Sequence, residues 1–161
     1  MGSMRYILLL CSACFLFSFK PGTQNWLLIL HSDSATISDG TLQLGGEGGM
    51  VAAFQNEGGR EAKAISTKQL ISNWGTLFHN APPNAVVVFK EHSNQFTEHL
   101  VVLNPPAVIS GKLTFEIVEL GTPLNGSYGE SLLFIDANIP NQEPSLSLFN
   151  AEVPAVQTPN Y

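Results

Sequence analysis

Lys112-Leu113-Thr114-Phe115-Glu116-Ile117-Val118-Glu119-Leu120 runs apolar and polar by turns. A period of two is that of a β-strand with one face on a core. It predicts Leu113, Phe115 and Ile117 inward, and Thr114 and Glu116 outward. A strand of this kind needs hydrogen-bonded neighbours, and the chain supplies them. Ala35-Thr36-Ile37-Ser38 and Thr41-Leu42-Gln43-Leu44 flank Asp39-Gly40, a pair that provides the positive φ of a two-residue hairpin turn. Trp26-Leu27-Leu28-Ile29-Leu30-His31-Ser32 reads as a strand with apolar residues on both faces, and Met50 to Gln55 as another. Ala85-Val86-Val87-Val88-Phe89-Lys90 and Glu98 to Leu103 pair across a polar turn at Ser93-Asn94-Gln95, and Leu132 to Asp136 is the last strand. In the core, Val86, Val88, Val102 and Phe134 are expected beside Leu113, Phe115 and Ile117.

One helix interrupts this pattern. Ser66-Thr67-Lys68-Gln69 has capping-box spacing, with serine to the third amide and glutamine back to the first. Leu70, Ile71 and Trp74 form its apolar stripe, and Gly75 is placed to stop it. About seven or eight short strands with one short helix predict an all-β fold, an antiparallel β-sandwich or barrel. It spans residues 23–137. Residues 138–161, rich in proline, read as an extended tail.

The first 22 residues read differently. Arg5 precedes the apolar run Tyr6 to Phe19, which Lys20-Pro21-Gly22 ends. One cation, a short apolar stretch and a polar breaker are the layout of a secretory signal. The run is shorter than the roughly 20 residues of a membrane-spanning helix. Ser12-Ala13-Cys14 also fits the end of a lipobox, with Cys14 lipidated, so a cleaved signal and a retained anchor both stand. Met4 is expected as the native start. The expected location is secreted or periplasmic, with membrane association possible only through this segment. Cys11 and Cys14 both lie in it, so the domain itself has no disulfide and depends on its core.

Charged residues make up 12% of the chain and the formal net charge is −6. There is no Lys/Arg cluster, which argues against nucleic acid and anionic membrane surfaces. Such sparse charge suggests a surface that is partly covered, by a protein partner or by self-assembly.

Pro82-Pro83-Asn84-Ala85-Val86, the Val-rich segment ending Leu103-Asn104-Pro105, Lys112 to Phe115 and Ser131-Leu132-Leu133-Phe134-Ile135-Asp136 together carry a resemblance. The chain resembles, over residues 26–137, a group of uncharacterised small secreted β-rich proteins that pair a "PPNA" segment with a closing "SLFID" strand. Ile65 to Trp74 matches that group's helix, and Arg60 is what remains of its Asp-Arg-Pro-x-Arg stretch. The resemblance implies an exported β domain and no activity.

Residues suited to chemistry are scattered. His31, His79, His92 and His99 lack metal-ligand spacing. Glu91-His92 and Glu98-His99 flank one hairpin turn, but strand alternation puts adjacent residues on opposite faces. Ser127, in Asn125-Gly126-Ser127-Tyr128-Gly129, lies in a turn without a nucleophile elbow. Asn125-Gly126-Ser127 is also a glycosylation acceptor pattern. Asp136 is expected at a strand terminus, accepting from loop amides. The Gly45–Gly49 loop lacks the lysine and helix of a phosphate loop. Trp26 and Trp74 suit either a core or a sugar-stacking platform. The resulting expectation is an exported non-enzymatic structural or interaction domain, with no catalytic, metal or cofactor residues. The alternative is an extracytoplasmic binder of an apolar ligand or glycan.

Overall fold

Among the residues described by the computed structural model (23–46, 49–55, 61–91, 93 and 95–140), eleven strands and one helix make up the fold. β1 (Thr23–Ser32), β2 (Ser34–Ser38), β3 (Thr41–Gly45), β4 (Met50–Gln55) and β5 (Ala62–Ser66) precede α1 (Thr67–Leu77). β6 (Asn84–Lys90), β7 (Phe96–Leu103), β8 (Ala107–Ile109), β9 (Lys112–Glu119), β10 (Gly126–Tyr128) and β11 (Ser131–Pro140) follow. The all-β fold expected from the sequence is present, with β5, β8 and β10 added. Each of these is short, and none alternates over enough residues to stand out from a loop.

Every pairing is antiparallel, in the order β10-β2-β3-β9-β7-β6-β11-β1-β4-β5, with β8 beside β9. The hydrogen-bonded sheet is therefore open, with edges at β10 and β5. Two features turn it into a sandwich. β9 pairs with β3 through Leu113 to Glu116 and with β7 through Ile117 to Glu119, so it belongs to both layers. β1 and β2 are separated by Asp33 alone. There the chain bends from one layer into the other, held by the Ser32 hydroxyl, which lies 2.6 Å from the Ser34 and Gly45 carbonyl oxygens. The large layer is β5-β4-β1-β11-β6-β7 with the end of β9. The small layer is β10-β2-β3, the start of β9, and β8.

Inward side chains from both layers share one core that includes Leu28, Ile37, Leu42, Val87, Phe89 and Phe115, each fully buried. α1 fills the space between them. Its buried stripe is Thr67, Leu70, Trp74 and Leu77, and the Trp74 ring lies 5.8 Å from the Phe115 ring. The expected capping box is present: the Gln69 amide donates to Ser66 Oγ and the Ser66 amide to Gln69 Oε1. Gly75 does not stop the helix, which runs two residues further, to Leu77, where the Phe78 amide bonds Trp74 O. Gly75 keeps the helical bonds it can make, and Leu77 is buried, so packing outweighs about 1 kcal/mol of glycine propensity. The Asp39-Gly40 turn has φ of 49° and 71° and joins Ser38 to its partner Thr41, as expected.

The inward faces of β6, β7 and β11 differ from expectation. Val87, Phe89, Val101, Leu103, Leu133 and Ile135 are buried, while Val86, Val88, Val102 and Phe134 lie on the opposite face. In strands that are apolar on both sides, hydrophobicity carries no phase information. Thr114 is also buried, 6% exposed, because β3 and β8 flank it on both sides. β11 continues to Pro140, so residues 138–140 belong to a strand paired with β1 and not to the tail. The expected signal or anchor segment, Cys11, Cys14, Arg60, His92 and residues 141–161 lie outside the described residues.

Candidate functional site

The two layers solve the problem of their outer faces differently. The small layer shows Ser34, Thr36, Ser38, Thr41, Gln43 and Glu116 outward, with Ala35, Ile37, Leu42 and Leu44 buried behind them. That is the ordinary alternation of an antiparallel sheet with one wet face. The large layer shows no such alternation. Its buried set is backed by an outer set that is also apolar. Across the middle runs a row of register partners, Ala52-Ile29-Phe134-Val86-Leu100, from β4 to β7. Leu120, just past β9, extends it: its amide bonds Leu100 O.

Rows to either side complete the surface. Phe54 pairs with Leu27, and Val102 with Val118. Leu132 pairs with Val88. Leu27 is 38% exposed, Phe54 44%, Leu100 46%, Leu120 50% and Val118 55%; the others are half-buried by one another. Polar groups stand in the end rows. Asp136 and Asn84 lie between Leu27 and Val102 at one end of the strands, and His31 and Glu98 flank Leu132 and Val88 at the other. The His31 Nε2 lies 3.0 Å from Glu130 Oε1. An apolar centre with a polar rim is the anatomy of a protein interface. Scattered surface hydrophobics are ordinary, but a contiguous patch across six strands is not.

The inner face carries one buried polar pair. His99 faces the same way as Val101 and Leu103, and its Nε2–H donates to Glu119 at 2.8 Å. The side chains are 9% and 12% exposed. The same Glu119 oxygen accepts the Leu124 amide at 2.7 Å, which ties down the loop after β9. Sequence reasoning missed Glu119. The signal was there, because alternation that turns Phe115 and Ile117 inward turns Glu119 inward too. A histidine and a carboxylate bound to each other and to a loop amide are a structural clasp, with no hydroxyl or thiol nucleophile bonded to the imidazole.

The remaining candidates do not converge. His31 is the penultimate residue of β1, and His79 lies beyond α1 with Nδ1 3.2 Å from Thr76 O. Glu91 accepts the Thr97 hydroxyl. Glu98 is exposed on the face opposite His99. Among the described residues, no three of His, Cys, Asp and Glu are grouped to hold a metal. Ser127 lies in β10 and not in a turn, because residues 126–128 pair with β2; its hydroxyl is 3.5 Å from that of Thr36. Asp136 is mid-strand and exposed, opposite Leu27, because β11 continues beyond it. Asn125 is exposed, and its Oδ1 accepts the Asp39 amide. Trp26 and Trp74 are 1% and 5% exposed.

A cleft of about 120 Å³ at the β1–β2 bend is lined by Leu30, Leu44, Met50, Val108 and Leu113. It is small against the roughly 300–1,000 Å³ of ligand sites. A groove of about 420 Å³ runs past Trp74, Phe78, His79, Pro82 and Pro105, and Trp74 is 5% exposed. No family model, curated protein or solved structure significantly matches this chain. The outer face of the large layer is thus the feature of the fold that asks for an explanation by function. Among the described residues no helix is long and apolar enough to cross a membrane.

Proposed function

We propose that this chain is an exported β domain without catalytic chemistry, which works by docking the outer face of its large layer onto another protein surface. The observation that carries this reading is the contrast between the layers. One chain in one solvent builds a polar outer face on β2 and β3 and an apolar one on β1, β6, β7 and β11. Antiparallel sheets exposed to water on one side alternate; sheets covered on both sides read as continuous apolar runs. Sparse charge over the whole chain supports the same reading, as does the burial of both tryptophans, which leaves no ring face for stacking on a sugar. Export rests on the Arg5-plus-apolar layout of the first 22 residues.

A triple variant tests the reading: Ile29→Thr with Val86→Thr and Leu100→Thr. Threonine keeps the β-branched shape of a strand residue. The variant is expected to keep its circular dichroism spectrum and to melt within a few degrees of wild type. It should lose whatever the wild type shows of association or of binding to an apolar-surface dye. If wild type shows neither, or the variant shows both undiminished, the face has no docking role.

A further inference from the structure

We infer that the partner of this face is a second copy of the same chain, packed face to face about a twofold axis along the strands between β11 and β6. The inference rests on the docking role proposed above and names its occupant. It follows from how the rows read from the two sides of that axis. Turning a copy over exchanges β1 with β7 and β11 with β6. Ile29 then lies over Leu100 of the second copy, and Phe134 over Val86. Leu132 meets Val88, and Leu27 meets Val102. The polar groups of the end rows match as well. His31 falls opposite Glu98, and Asp136 opposite the Asn84 amide. Each pair occurs twice, as an isologous interface requires. The registers that set these positions are fixed within one chain by its own strand pairing.

Size and charge agree. Six strands at about 4.8 Å spacing give a face about 24 Å wide, and the rows cover about 14 Å along the strands. With their side chains this is a patch on the order of 700 Å², near the roughly 800 Å² per partner of a standard interface. Two layers packed this way lie about 10 Å apart. Two chains of net charge −6 repel, so they can meet only where charge is sparse. On this face Glu98 meets His31, Asp136 meets the Asn84 amide beside the axis, and Lys90 stands at the end of β6. A lipid surface fits less well, because among the described residues the outward face of β11, β6 and β7 sets two acids, Asp136 and Glu98, against one lysine, Lys90.

Sedimentation of the full chain over a concentration series is the test, joined to three substitutions. Wild type is expected at twice the monomer mass. Val86→Lys, at the centre, should sediment as a folded monomer. Glu98→Lys should weaken the dimer at least tenfold, and adding His31→Glu should restore it. In a chain with Cys11 and Cys14 changed to serine, Leu27→Cys with Val102→Cys should be linked between copies by a bifunctional thiol reagent of about 10 Å reach, giving twice the monomer mass under denaturing conditions. Within one chain these positions are three strand spacings apart, about 14 Å, beyond that reach. A monomeric wild type that still binds an apolar dye on this face overturns the second copy as partner and leaves the docking role for another protein. Co-flotation of the monomer with lipid vesicles, abolished by Val86→Lys, assigns the face to lipid instead. A dimer that tolerates both Val86→Lys and Glu98→Lys and fails to cross-link joins through another surface, and both proposals fall.

Discussion

Glu119 shows how one side chain changes the reading of a strand. Its carboxylate takes two donors, the His99 ring and the Leu124 amide, in a place where water has little access. Removing it leaves both donors without their partner, and an unsatisfied buried donor costs about 1–3 kcal/mol. Glu119→Ala is therefore expected to lose roughly that much stability in urea unfolding, while Glu119→Gln, which keeps an acceptor, loses less. Equal stability of all three proteins would mean that the clasp is filled by water and holds nothing. Phe115 is the complementary case. It is fully buried and faces Trp74 across the core. Phe115→Ala is expected to cost about 3–5 kcal/mol, the usual loss for a buried phenylalanine; a loss below about 1 kcal/mol would contradict its central position.

Among the elements, α1 is the piece whose ends are secured locally and whose face is secured by packing. The capping box satisfies amides at its start, and the Thr67 hydroxyl and amide both bond Gly49 O, which ties the helix to the loop before β4. Ser66→Ala removes one acceptor and is expected to cost about 1 kcal/mol. The loss should appear as a lower denaturation midpoint with an unchanged slope, since the same surface is exposed on unfolding. A changed slope would instead indicate that α1 unfolds apart from the sheet. The β1–β2 bend and the shared strand β9 matter in another way. They let one antiparallel sheet fold over a single core without closing its hydrogen-bonded ring, and they leave the outer side of β1, β11, β6 and β7 as a broad, gently varied surface.

At the scale of the molecule, the apolar outer face makes stability and association one question. If two copies cover each other's faces, unfolding must separate them, and the melting temperature rises with protein concentration. We expect a rise across a hundredfold dilution series for wild type and none for Val86→Lys. A concentration-independent melt for both would place the folded monomer alone as the stable unit. The polar outer face of the small layer should be indifferent: a change such as Gln43→Lys is expected to leave the sedimentation profile of wild type unaltered.

The sequence by itself determined the local elements with self-contained signals. The Asp39-Gly40 turn, the capping box at Ser66 and the alternation of β9 each lie within a few residues and need nothing distant to be read. It also determined that the fold is antiparallel β and that the two tryptophans suit a core. The tertiary structure decided what depends on residues far apart. The phase of β6, β7 and β11 could not be read from apolar residues present on both sides. Their polar members carried it: Asn84 and Lys90, Glu98, and Asp136 all mark the outward face. Their meaning appears only once pairing aligns them into rows. The short strands β5, β8 and β10 exist because neighbours supply their hydrogen bonds; three to five residues are too few to mark a strand on their own, even with Val108 and Ile109 in β8. The clasp between His99 and Glu119 joins positions 20 apart in sequence through the pairing of β7 with β9. The apolar outer face arises the same way: it is an alignment of six strands, and no single segment of chain contains it.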